Sequence, residues 1–186
     1  VIEMAVDTTK TPIPFDMATS IGPEISKTYN TKVIGAIIKK SKRPLLIAGA
    51  EFFEDPVMFD KAIEIGKTGV TIAATAHTIK AYIEKGYTEN VYSIGFHPLA
   101  GYLRFKDWMG LDGEGHYDTV IFAGLNYKFA SATINALKNF NRDIRRVSID
   151  RYYHPNADMT FGNMAFKPDD YHEAVDEVIA VLKKKK

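Results

Sequence analysis

Apolar residues fall into two rhythms along the chain, and the alternation between them predicts its architecture. Residues 43–49 (RPLLIAG) and 118–124 (DTVIFAG) are short apolar runs closed by glycine. A strand apolar on both faces belongs inside a sheet covered by helices on both sides. The shorter runs 70–74, 91–95 and 146–150 read as further strands. Between them the spacing turns helical. Val33, Ile34, Ile37 and Ile38 mark a helix running to Lys42. Phe59, Ala62, Ile63 and Gly66 mark one that starts at Asp55-Pro56, with an acid as N-cap and proline in the first turn. A helix over 76–85 is closed by Gly86, and Pro98 opens one reaching Trp108. Phe129, Thr133, Ala136, Leu137 and Phe140 share one helical face. Tyr171, Ala174, Val175, Val178, Ile179 and Leu182 share another, on a helix that starts at Asp169 or Asp170. Strands alternating with helices predict a mostly parallel sheet in a three-layer α/β/α domain of Rossmann-like form.

Residues 1–30 break this pattern. Pro12, Pro14 and Pro23 oppose a long regular element, so the segment reads as an extended arm with one helical turn near Pro23-Glu24-Ile25. Ile13, Phe15, Met17 and Ile21 are costly to leave in water. The arm is therefore either a loosely packed terminus or a segment that lies on a partner. Residues 31–186 form a single nucleotide-binding-like domain. Glu3 and Asp7 interrupt the apolar start, so no secretory signal is read, and Met4 is a candidate native start after 1–3. A cytoplasmic protein is the default expectation, since no apolar run approaches the ~20 residues of a membrane span.

Composition narrows the chemistry. The 186 residues are 46% hydrophobic and 25% charged with a net charge of +1, which gives no global case for nucleic acid. Cations cluster at Lys39, Lys40, Lys42 and Arg43, at Arg142, Arg145 and Arg146, and at 183–186. They read as solvated helix ends that offset the helix dipole, with a docking surface for an acidic partner as the alternative. The chain has no cysteine, which excludes disulfides, cysteine-held iron–sulfur clusters, thiolate zinc sites and a cysteine nucleophile within it. Redox chemistry would need an organic cofactor or a partner chain.

Motifs for nucleotide chemistry are incomplete. The 110–115 run (GLDGEG) has the order G-x-x-G-x-G and leads into a strand, the reverse of a dinucleotide fingerprint, so it reads as a flexible surface connection. The second strand ends Ala73-Ala74-Thr75 without the acid that holds an NAD ribose. Asp150 closes a later strand and either accepts from ribose hydroxyls or is a solvated or capping aspartate. The five histidines lack metal spacing; His77 and His97 follow strand ends and either face a cleft or play plain structural roles. The run 152–158 (YYHPNAD) reads as a wrap for adenine or as an interface patch. Trp108, with Phe105 and Met109, reads as core or interface. No catalytic acid, base or nucleophile is nominated.

Several stretches together resemble one family: 42–46 (KRPLL), 72–75 (IAAT), 108–113 (WMGLDG) leading to Tyr117-Asp118, 136–140 (ALKNF) and 156–163 (NADMTFGN), with 6–10 (VDTTK). The chain resembles the epsilon subunits of archaeal acetyl-CoA decarbonylase/synthase complexes. The resemblance implies a six-stranded sheet like the central domain of thiamine-diphosphate enzymes, which in some relatives holds FAD. It implies as partner a large alpha subunit, in an α2ε2 component with carbon monoxide dehydrogenase activity. The nickel–iron and iron–sulfur clusters would then lie in alpha, and epsilon would either stabilise alpha or help pass electrons to FAD. No catalytic residue transfers. For FAD, the pyrophosphate is expected over Gly49 and Gly124 at helix amino ends. Ala50, Thr75, His77, Leu125, Asn126, Asp150 and Arg151 complete the candidate binding set. No metal, nucleic acid or membrane is expected for this chain.

Overall fold

The glycine-ended strands are paired directly and form the centre of the sheet. The structure, a computed structural model, describes residues 6–16 and 26–184. Its elements in chain order are α1 (Thr31–Lys40), β1 (Pro44–Ala48), a 3-10 turn (Ala50–Phe53), α2 (Val57–Gly66), β2 (Thr71–Ala74), α3 (Thr78–Glu84) and β3 (Val91–Ser93). There follow α4 (Phe96–Leu103), β4 (Thr119–Ala123), α5 (Tyr127–Phe140), β5 (Arg145–Ser148), β6 (Met159–Thr160) and α6 (Pro168–Lys183). The sheet runs β3-β2-β1-β4-β5-β6, and each of its five strand pairings is parallel. Ala48 pairs with both Ala74 and Ala123, so β1 and β4 flank the point where the strand order reverses. In open α/β sheets ligands bind in the crevice beyond the strand ends at that point.

Period-two alternation divides the central strands between two cores. Leu46, Ala48, Ile72, Ala74, Ile121, Ala123 and Val147 face a layer built by α1, α2, α3 and α6. Leu45, Ile47, Ala73, Val120 and Phe122 face a layer built by α4 and α5. Right-handed crossovers of β1-α2-β2-α3-β3 keep those helices on one side, and α4 carries the chain to the other. No helix links β5 to β6; the connection folds over the sheet, placing Ala157 in the α4–α5 core.

The structure corrects several local expectations. α4 stops at Leu103, and Trp108 stacks on Tyr102 from the loop beyond, ring centroids 5.5 Å apart. Asp55 does not cap α2: the N-cap is Pro56, and the Asp55 carboxylate meets His172 Nε2 at 2.7 Å. The 110–115 loop is clasped rather than loose. Arg43 bonds Asp112 at 2.6 Å and the Gly115 carbonyl at 3.3 Å, and lies 5.2 Å over the Tyr117 ring. Because Arg43 precedes β1, this loop sits at the amino edge of the sheet, away from the crevice.

The run 152–158 is neither adenine wrap nor interface patch. Tyr153, His154, Asn156 and Ala157 are buried. His154 stacks on Tyr127 with centroids 4.9 Å apart, and Tyr153 Oη donates to the Ser26 carbonyl at 2.5 Å. Nor does the described part of the arm project. Residues 6–16 lie against the chain's own segment after β6, where Asn163 N–H donates to the Thr8 carbonyl at 3.0 Å and Asn163 Nδ2 to the Ile13 carbonyl at 2.7 Å. Phe15 packs on Tyr152 at 4.4 Å and Tyr127 at 5.4 Å. A Cβ on Gly162 would lie 2.0 Å from the Thr9 carbonyl oxygen, so glycine is what lets the arm come this close. Met17, Ile21 and the expected turn at 23–25 fall outside the described residues, as do 1–5 and 185–186.

Candidate functional site

The crevice at the carboxyl ends of β1 and β4 gathers most of the candidate binding set, and the chain's own atoms fill it. Gly49 N–H donates to the Ala123 carbonyl at 2.9 Å, and Glu51 N–H to the Gly124 carbonyl at 2.9 Å. A Cβ on Gly49 would stand 2.0 Å from the Gly124 oxygen. Gly124 has φ +66°, and a Cβ there would meet the Phe52 ring at 2.2 Å. Both bare α-carbons are therefore used for chain-on-chain contact. The 3-10 turn directly after Gly49 swings Phe52 over Gly124, with the ring 2% exposed.

Two of the amide groups at the crevice are also engaged. Leu125 N–H donates to Asp150 Oδ2 at 3.2 Å, and Arg151 N–H to Asp150 Oδ1 at 2.7 Å. Asn126 caps α5, its side chain accepting from Lys128 N–H at 3.2 Å. Thr75 closes the neighbouring strand end, with its N–H and Oγ1 both on the Ala48 carbonyl, at 3.1 and 3.0 Å. Ala50 is exposed in the 3-10 turn, and His77 is exposed at the start of α3. His97 lies apart from the crevice, its ring 5.2 Å from Phe129 on the α4–α5 face.

The crevice is lined by acidic side chains around one arginine. Burial, reinforced by the Glu51 charge, pushes the Asp150 carboxyl up to about 7. Burial also raises Glu51, against the pull of Arg151. Arg151 Nη2 bonds Glu51 and Glu54, each at 2.9 Å, so this cation is already committed. Tyr171 Oη donates to the Ile149 carbonyl at 3.1 Å and closes the floor. The space left between Phe52, Gly124, Asp150 and Tyr171 is about 10 Å³. That holds about one water, whereas a pocket for a drug-sized ligand takes ~300 Å³ or more. With the Phe52 ring over Gly124 and about 10 Å³ of space left, the crevice does not fit an FAD pyrophosphate.

The sequence reading missed Glu51, Phe52 and Tyr171. A signal was present: Ala50-Glu51-Phe52-Phe53 puts bulk and an acid where a nucleotide-binding turn carries further glycines. Among the described residues no group of three His, Asp or Glu is placed to hold a metal ion, and no helix is long and apolar enough to cross a membrane.

Strand order and packing thus define a Rossmann-type α/β domain whose nucleotide crevice is closed by its own side chains. Comparison with known proteins gives the lineage. Residues 8–179 match the family described as CO dehydrogenase beta subunit/acetyl-CoA synthase epsilon subunit, and the chain belongs to that family. The acetyl-CoA decarbonylase/synthase complex subunit epsilon of Methanothrix soehngenii is 68% identical over 183 residues, 98% of each chain. Subunit epsilon 1 of Methanosarcina barkeri is 36% identical over 178 residues, covering 95% of this chain and 99% of its own. Subunit epsilon of Methanothermobacter thermautotrophicus is 31% identical over 152 residues, covering 82% of this chain and 87% of its own.

Proposed function

We propose that the chain acts as a non-catalytic accessory subunit of a cytoplasmic acetyl-CoA decarbonylase/synthase complex, binding and stabilising the large alpha subunit of an α2ε2 carbon monoxide dehydrogenase component. Reversible acetyl-CoA cleavage and CO oxidation would then take place on alpha, which would hold the metal clusters. The observation that carries this reading is the filled crevice: Phe52, Asp150 and Tyr171 occupy the place a dinucleotide would need, leaving about 10 Å³. A nucleotide-binding fold closed in this way offers surfaces rather than a pocket.

The competing reading is an FAD-binding electron-transfer module that mediates CO oxidation to FAD. It keeps in its favour the strand order and the two glycine-ended strands at the reversal point. One experiment separates the two. The alpha subunit is expressed with and without this chain, its thermal inactivation followed, and flavin fluorescence titrated on the chain alone and on the pair. The expected result is slower inactivation of alpha with the chain present and no saturable flavin binding. Alpha that inactivates equally fast in both preparations overturns the stabilising role, and saturable FAD binding revives the electron-transfer module.

A further inference from the structure

Exposed apolar residues occur on both layers: Val33, Phe53, Val57 and Ile83 on the four-helix side, and a larger, mostly aromatic group on the other. Tyr102, Phe105, Met109, Phe129 and Phe140 are 48–68% exposed, and all lie on α4, on α5 or in the loop after α4. Between α4 and α5 runs a groove of about 260 Å³ floored by Ala100, Gly101, Ala132 and Ala136. Its ends are marked by two contacts. At the amino ends of the helices the His97 ring stands 5.2 Å from Phe129, and at the carboxyl ends Arg104 lies 5.9 Å from the Phe140 ring centre. Eleven residues of α5 separate the two phenylalanines, about 16 Å or three helical turns.

The charge on this face is mainly positive. Neither α4 nor α5 contains Asp or Glu; α5 carries Lys128 and Lys138, and Arg104 and Arg142 lie just beyond the two helices. Of the acids nearby, Asp143 is engaged by Lys106, which leaves Asp107 in the loop after α4. By contrast α6, on the other side of the sheet, carries Asp169, Asp170, Glu173, Asp176 and Glu177. A second copy related by a two-fold axis would set these cations against their own equivalents, so complementarity selects a different chain.

The geometry points to the α4–α5 groove as the docking site for an acidic, amphipathic helix of about three turns supplied by a partner subunit, an inference that rests on the accessory-subunit reading above. The helix lays its apolar face between Phe129 and Phe140, and the small floor residues let its backbone come close. Its carboxylates meet Arg104, Lys128 and Arg142. This is the helix-in-groove mode of recognition, with anchors along one helical face.

Ala132 is exposed on the groove floor and suits a charge-reversal test. The tagged full chain is co-expressed with alpha as wild type, Ala132→Glu, Ala132→Lys and, on the opposite layer, Val33→Glu. Recovery of alpha on the tag is measured, and each isolated variant is checked by its melting curve. The expected result is a loss of at least about tenfold for Ala132→Glu, a clearly smaller loss for Ala132→Lys, and none for Val33→Glu. Undiminished recovery with a folded Ala132→Glu removes the groove as the site while leaving the subunit reading intact. Equal losses for Glu and Lys overturn the acidic occupant, and a wild-type dimer in isolation that Ala132→Glu dissolves makes a second copy the occupant instead. A wild-type chain that recovers no alpha overturns the subunit reading, and the inference falls with it.

Discussion

The two faces of the sheet are built to different standards. On one, four helices pack over the strands, and α1 meets α6 so closely that a Cβ on Gly35 would lie 2.8 Å from Val181 Cβ. On the other, α4 and α5 share the cover with a loop, and half-exposed aromatics crowd the outer surface. The sheet itself does not differ: Ile121 and Phe122, neighbours on β4, are both wholly buried, one toward each layer. What differs is what lies outside the helices. The four-helix layer exposes acids and lysines with Val33, Phe53, Val57 and Ile83 among them, while the two-helix layer exposes a larger aromatic group and lacks acids on both its helices. A thin layer with an apolar exterior is the side on which the docking of a partner helix proposed above can be tested.

The largest expected effect comes from emptying the thin layer. Phe122 is wholly buried in that core, which also holds Leu99, Leu103, Ala130 and Ile134. Phe122→Ala should cost about 3–5 kcal/mol, the range for deleting a buried ring. Urea unfolding of the isolated chain gives the value. A cost under about 1 kcal/mol would mean that the two-helix layer collapses around the gap and is no true second core.

A smaller effect separates the layers by pH. His154 stacks on Tyr127 of α5, and burial brings its ring down to about 3 from an ordinary 6.5. Native His154 is therefore neutral; its contribution is complete above 6.5 and is lost as pH falls toward 3. Asp150 lies near Tyr171 of α6, and burial brings it up to about 7 from 3.8, so the native carboxyl holds its proton. Its contribution is complete below 3.8 and is lost as pH rises through 7. Between about 4 and 6.5 the two slopes oppose each other. Wild-type stability should be nearly flat there, Asp150→Asn should gain stability with rising pH, and His154→Phe should lose it. Parallel profiles for all three proteins would show that neither group titrates as its burial requires.

Legibility followed the length and purity of the pattern. β1 and β4 were readable because short apolar runs bounded by turn residues suit a doubly covered strand, whereas their pairing as neighbours came only from the structure. β6 was not read from the pattern: two residues, Met159-Thr160, carry no rhythm. The run 152–158 misled because Tyr, His and Asn look like surface, yet the loop replaces a missing crossover helix and is driven inward. The crevice was legible as a place but not as a state. Gly49 and Gly124 give the same letters whether a phosphate or another stretch of backbone comes near. What decides is the Phe52 ring, placed by a 3-10 turn that composition does not announce. The arm's docking on Gly162 was hidden for the same reason, since a glycine's neighbour across space has no trace in the local sequence.

The smallest effect is the most discriminating, because one substitution should act with opposite signs on the two layers. In α1, Gly35→Ala would drive a methyl to 2.8 Å from Val181 Cβ and 3.2 Å from the Val178 carbonyl oxygen. The helices must part, at a cost of about 1–3 kcal/mol. In α4, a Cβ on Gly101 would meet nothing within 4 Å, so Gly101→Ala only restricts the unfolded chain and should add about 0.5–1 kcal/mol. Differential scanning of the isolated variants should show the melting point falling for the first and rising by about 1–4 °C for the second. Glycine at 101 thus has no internal reason in the isolated chain, unlike glycine at 35. If the reason is a partner helix running along the groove, Gly101→Ala should stabilise the chain alone while weakening its hold on alpha. Should the same variant strengthen or leave unchanged both properties, the gap beside Gly101 is an unfilled surface groove, and the thin layer needs no outside cover.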